Sequence, residues 1–220
     1  VIIDIPKVDE NMLAKVIPIE ARKYIPVPIS EVALDWWVIP NQDLKQGSPT
    51  DKLEVLVVAI HNGVISQFQD LAAITGVQSS FLEIETFSAI RSSVGGDMAA
   101  SVIVDLGAST TKMAIVDMGI VRLSHTIPKG AQDITLAIAR ALGVEFAKAE
   151  EIKRKVGLVE HVEGQDVAAT ISATIEYIFS EINKVFAAYQ KRQGKSISKI
   201  VLIGGGALLK NIDTLITHVT

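Results

Sequence analysis

The strongest constraint lies in two apolar runs about a hundred residues apart, each ending in a loop built for close approach. The first reads Ser101-Val102-Ile103-Val104-Asp105-Leu106, then Gly107-Ala108-Ser109-Thr110-Thr111. The second reads Ile200-Val201-Leu202-Ile203, then Gly204-Gly205-Gly206-Ala207. Strand followed by a glycine loop places bare backbone beside whatever sits at the strand's end. Each loop has two readings. Asp105 with Gly107 and three hydroxyl residues is either an ordinary hairpin turn or a phosphate-binding loop, with Asp105 holding Mg²⁺ through its waters. The glycine triplet is either a flexible strand-to-helix turn or a floor for a flat base or ribose.

What surrounds the loops sets a mixed α/β order. Residues 101–106, 111–117 and 120–127 read as three strands in close succession, with Met113 and Ile115 on one face and a tight turn at Met118-Gly119. Residues 131–142 carry helical spacing, a short helix spans about 148–155 and ends at Gly157, and Gly194 closes a long helix over 166–190. In that last helix Val167, Ile171, Ile175, Ile178, Ile182, Val185 and Tyr189 alternate steps of four and three. Strand 199–203 and the glycine triplet follow, and a helix is expected from near Leu208.

Upstream, residues 1–6 read as a strand, and 8–24 as a helix that Pro18 kinks or splits. Ile25-Pro26-Val27-Pro28 is an extended connector. Strands are expected at 32–39 and 53–60, a loop at 41–51, a helix from Gly63 to Thr75, a strand at 79–84 and a helix at 85–93. Trp36-Trp37 in a strand puts one indole on each face. Gly95-Gly96-Asp97 is the expected boundary.

Composition narrows the function classes. The net charge of −4 carries no basic block, which disfavours nucleic-acid binding. There is no cysteine, so no disulfide scaffold or thiolate metal site, which suits the cytosol. The four histidines, His61, His125, His161 and His218, have no metal-ligand spacing. No apolar run approaches the roughly 18 residues needed to cross a bilayer. Val1 is not an initiator Met, and the expectation is a trimmed chain. The charged run Glu150, Glu151, Lys153, Arg154, Lys155 reads most simply as a solvated helix face.

The whole order resembles the second half of the actin, sugar-kinase and Hsp70 ATPase fold, an actin-like (ribonuclease H-like) α/β fold. Lys129-Gly130-Ala131-Gln132-Asp133-Ile134, with Ala149-Glu150-Glu151-Ile152-Lys153 and Gly157, is similar to the bacterial actin branch of FtsA, MreB and PilM. Glu20-Ala21-Arg22-Lys23-Tyr24-Ile25-Pro26-Val27-Pro28, then Glu31-Val32 and Leu34-Asp35-Trp36, resembles the PilM family of type IV pilus assembly.

The resemblance implies three parts. Residues 1–61 would be the small inserted α+β subdomain, and 62–96 the end of the first large subdomain with its connecting helix. Residues 97–220 would be the nucleotide-binding second half, with a small subdomain at about 143–165. It implies ATP with Mg²⁺ as ligands, Asp105 to Thr111 at the phosphates, and Gly130 beside them. Glu150 and Lys153 would lie at ribose or adenine, and Gly204 to Ala207 at the adenosine. Glu85 would orient the attacking water.

It further implies a cytoplasmic scaffold at the inner face of the membrane, touching the membrane only through a partner. That partner is a PilN-like inner-membrane protein, whose cytoplasmic N-terminal tail Tyr24, Trp36 or Trp37 would anchor, and self-association is a further expectation. The family's first phosphate loop lies upstream of these residues, so the 220-residue chain alone is expected to bind ATP poorly and not to hydrolyse it. An FtsA-like division protein and an actin-fold sugar kinase are the alternatives.

Overall fold

A computed structural model describes residues 1–40, 52–157 and 167–213. The chain divides into two compact units, Val1–Ile84 and Glu85–Thr220.

The first unit is a three-stranded antiparallel sheet with a helix on one face. Strands β1 (Ile2–Pro6), β2 (Val32–Val38) and β3 (Lys52–His61) run in the order β1-β3-β2. Register pairs Ile3 with Val55 and Trp37 with Leu56. Helix α1 (Glu10–Ala21) buries Ile17 and Ala21 against Ile3, Ile5, Val55 and Val57. Pro18 lies inside α1, which stays one helix. Proline removes one backbone hydrogen bond there, and the burial of Ile17 and Ala21 on either side holds the helix together. The helix stops at Ala21 rather than 24. Turn bonds from Lys23 N to Glu20 O and Tyr24 N to Ala21 O finish it, and Pro26 turns Ile25 away from helical geometry.

The two indoles divide as alternation predicts. Trp36 packs against the core cluster, while Trp37 is on the opposite face and 49% exposed. The loop expected over 41–51 lies outside the described residues.

Helix α2 (Asn62–Thr75) buries none of its residues and exposes Val64, Phe68, Leu71 and Ile74. The strand expected at 79–84 does not form. That stretch is almost wholly exposed and, among the described residues, has no neighbouring strand to receive its hydrogen bonds. Period-two hydrophobicity without a partner makes no ladder.

In the second unit, α3 (Glu85–Ser93) opens the fold. Strands β4 (Ser101–Leu106), β5 (Thr111–Asp117), β6 (Ile120–Ile127) and β7 (Lys199–Ile203) form one sheet in the order β6-β5-β4-β7. β4, β5 and β6 are an antiparallel meander, and β7 pairs parallel with β4. Met118 and Gly119 both have positive φ (56° and 75°), as the two-residue β5–β6 turn requires.

Alternation along β5 explains the layering. Met113 and Ile115 join the main core with α4 (Ala131–Leu142), α5 (Phe146–Val156) and α6 (Val167–Gln193). Ala114 and Val116 face Ile90 and Val94 of the α3 segment. The division at Ile84–Glu85 therefore falls ahead of the glycine pair Gly95-Gly96, because α3 and the residues after it pack into the second unit. α6 delivers the repeat read in the sequence: Val167, Ile171, Ile175, Ile178, Ile182 and Tyr189 are buried, and Phe179 with them. After the triplet a 3₁₀ turn, Gly205–Leu208, comes first, and helical geometry begins at Ile212 rather than near Leu208; residues beyond 213 lie outside the described part. Of the small subdomain expected at 143–165, residues 158–166 also lie outside it.

Candidate nucleotide site

The loops after β4 and β7 meet. In an α/β sheet, ligands bind beyond the carboxyl ends of parallel strands, and β4 and β7 both end here, with Asp105 beside Ile203 in register. Contact between the loops is close. A Cβ on Gly204 would lie 2.3 Å from Asp105 Oδ1 and 2.8 Å from Leu106 O, and one on Gly206 would lie 2.4 Å from Leu106 Cγ. Gly204 also has φ of 84°. Two of the three glycines are thus required by packing against the end of β4. Gly205 faces open space, and only it and the exposed surface of Gly204 leave bare backbone toward a ligand.

The first loop is braced from below. Gly107 N donates to Thr110 O at 3.1 Å, closing the turn. Ala131 N donates to Gly107 O and Gln132 N to Ala108 O, both at 2.8 Å. The first N–H groups of α4 are therefore spent on the loop's carbonyls, which satisfies orphan donors of the helix end. Gly130 permits that seating, since a Cβ there would lie 2.5 Å from Ala108 O and 2.7 Å from Gly107 O. Thr111 is buried, and its hydroxyl donates to Lys129 O at 2.8 Å. Thr111 therefore anchors the loop from inside and is not one of its exposed donors. Ala108 and Ser109 stand exposed at the tip, with Thr110 half-buried.

Glu150 and Lys153 belong to a network that ties α5 to the start of α4. Lys153 Nζ donates to Ala131 O at 3.0 Å and to Thr135 Oγ1 at 2.9 Å, and lies 2.7 Å from Glu150 Oε2. Thr135 Oγ1 and Arg154 Nε also bond the Glu150 carboxylate, at 2.6 and 2.9 Å. Partial burial pushes the Glu150 carboxyl up, but the hydrogen bonds from Lys153, Thr135 and Arg154 outweigh it and bring it down to about 2. The run read as a solvated helix face is so only in part: Lys153 is buried, and Glu151 pairs with Lys148 and Lys155 in solvent.

Glu85 opens α3 and pairs with Lys112 of β5. Sequence reading passed over Lys112 and Thr135. Alternation from Met113 and Ile115 puts Lys112 on the α3 face, and that was the available signal. Thr135 offered none, being a helix-interior threonine.

The donor set suits a nucleotide. An exposed small-residue tip with hydroxyls adjoins one carboxylate, and open glycine backbone lies beside it. Asp105, Gly107–Thr110 and Gly204–Ala207 lie together at one strand end, and Glu150 and Lys153 reach it through Ala131. Tyr24, 53% exposed, follows α1 in the other unit, near an open depression of about 580 Å³ lined by Arg22, Val27, Pro28, Ile29 and Ser30. Trp36, a candidate anchor by sequence, is committed to the core because its strand position faces α1.

A meander joined to a parallel strand, with apposed loops at the strand ends and helices on both faces, is the arrangement of the actin-like fold. Over residues 1–220 the sequence matches the family of type IV pilus assembly protein PilM, and the chain belongs to that family. Its fold is similar to a chain of the PilM–PilN type IV pilus biogenesis complex, with a TM-score of 0.80 and 21% identity. That match covers 100% of this chain and 62% of the other, so the chain spans less than two thirds of that relative's length. MreB5 of Spiroplasma citri bound to AMPPNP is similar at a TM-score of 0.53 and 20% identity, covering 73% of this chain and 58% of that one. Among the described residues no helix is long and apolar enough to cross a membrane.

Proposed function

We propose that the chain serves type IV pilus assembly as an actin-like scaffold, cytoplasmic and held at the inner face of the membrane by a PilN-like partner. Its membership of the PilM family over every residue, together with the fold likeness to a PilM–PilN complex, carries this reading. ATP with Mg²⁺ is its structural ligand. Asp105 and the Ala108–Thr110 tip hold the phosphate end, and Gly204–Ala207 the nucleoside end. Lys153, Glu150 and Gly130 set the shape of that site from beneath. Nucleotide shifts a conformational balance only by its difference in affinity for the two states, so turnover is not needed for the role.

The partner's cytoplasmic N-terminal tail docks beside Tyr24 and the depression from Arg22 to Ser30. The test is a titration of a fluorescent peptide of that tail against full-length protein, with and without ATP. Binding that tightens with ATP is the expected result, and no binding in either condition overturns the reading. Tyr24→Ala is expected to weaken the peptide about tenfold, the order of one exposed aromatic anchor. Trp37→Ser is expected to cost about 1 kcal/mol or less of stability, since Trp37 is half exposed on the sheet face away from α1 and pairs with Leu56.

A further inference from the structure

We propose that Lys112 is a latch on Glu85, holding that carboxylate at the mouth of a one-water cavity so that a bound nucleoside triphosphate turns over slowly. The proposal rests on the nucleotide reading above. The cavity, about 20 Å³, has Glu85, Asp105 and Lys112 among its walls and an apolar floor that includes Ile103, Ala114 and Ile203. That volume admits a single water, and a water needs the polar partners these three side chains provide. Asp105 starts the phosphate-type loop, and Lys112 is its register partner across β4 and β5. Glu85 is the other carboxylate facing the cavity, and Lys112 Nζ donates to Glu85 Oε1.

A free carboxylate there would do specific chemistry. The water oxygen attacks the terminal phosphorus, the bond from that phosphorus to the bridging oxygen breaks, and the nucleoside diphosphate leaves. The water's proton passes to Glu85 and then to solvent. With the ammonium of Lys112 bonded to Oε1, the carboxylate is drawn toward Lys112 and its charge is compensated, which makes it a weaker base. Lys112 acts through Glu85 and is a positioning residue. Both side chains are substantially exposed (41% and 56%), so the pair is a weak restraint of a few-fold rather than a block.

The test uses full-length protein as wild type, Lys112→Met, Lys112→Arg, Glu85→Gln and the Lys112→Met/Glu85→Gln double variant. Zero-length carbodiimide coupling of nucleotide-free wild type, read by peptide mass spectrometry, should join Lys112 to Glu85. By calorimetry Lys112→Met should bind ATP within about threefold of wild type, and by phosphate release it should turn over about fivefold faster. Lys112→Arg, which keeps the pair, should stay at the wild-type rate, and the double variant should lose the gain. Absence of the Lys112–Glu85 cross-link overturns the latch. So does Lys112→Met that binds ATP normally and is no faster. Loss of ATP affinity in Lys112→Met also overturns it, since Lys112 would then be holding phosphate itself. Failure of wild type and every variant to bind ATP overturns the nucleotide reading, and the latch with it.

Discussion

Gly204→Ala is expected to destabilise the second unit by about 3 kcal/mol, whereas Gly205→Ala should stay within about 0.5 kcal/mol of the parent. The difference comes from geometry one residue apart. Gly204 has φ of 84° and ψ of 170°, a region essentially confined to glycine, where an L-residue costs about 1–3 kcal/mol. Its added methyl would also stand 2.3 Å from Asp105 Oδ1 and 2.8 Å from Leu106 O. The carboxylate can swing aside, but the Leu106 carbonyl belongs to β4, so the strand end must give way. At Gly205 nothing lies within 4 Å and φ is not in the left-handed region. Urea midpoints of the two variants measure the contrast. Equal midpoints would show that the triplet is free backbone rather than a packed joint. Gly204→Ala should also weaken ATP binding, because it displaces Asp105 from the loop it serves.

Lys153→Met is the second large effect, expected at about 2 kcal/mol of destabilisation. Breaking a fully buried ion pair costs about 3–5 kcal/mol. The value here is lower because Glu150 keeps 27% of its side chain exposed and retains Arg154. What is lost is the tie between α5 and α4, since Ala131 O and Thr135 both lose their ammonium donor. The same network predicts acid sensitivity. The Glu150 carboxyl falls from 4.5 to about 2 on folding. A depressed carboxyl contributes stability that is complete above pH 4.5 and is lost as pH falls toward 2. Discounted for solvent screening, that contribution is about 1–2 kcal/mol. Denaturation between pH 2 and 6 should therefore show a slope that Lys153→Met flattens. Parallel slopes in the two proteins would refute the coupling.

These residues also show what a sequence discloses. The meander was legible because period-two alternation, a Met-Gly turn and a downstream 3.6-residue repeat agree with one another. Residues 79–84 also carry apolar side chains, but among the described residues no strand lies beside them, and strand pairing is not a property of one segment. The glycine triplet was visible, and its division was not: Gly204 and Gly206 pack against the end of β4, and only Gly205 has room for a Cβ. Thr111 reads like its neighbours Ser109 and Thr110, yet strand alternation buries it. Lys153 in a charged run looks like a solvent-facing residue until α4 is placed against α5. Lys112 carried no motif; alternation gave its face, and its partner became visible only when α3 brought Glu85 to it.

The parallel pairing of β4 with β7 has a consequence for how the site comes into being. Ser198 donates to Ala100 O across 98 residues of chain, while β4, β5 and β6 are joined by short turns. Local hairpins close fast, and long loops close late because their ends must find each other against chain entropy. On the ribosome the phosphate-type loop can therefore be shaped while the glycine triplet has yet to be made. Until β7 arrives, β4 presents an unpaired, strongly apolar edge. A chain stalled at that stage has half of the proposed site and a surface suited to pairing with the wrong neighbour.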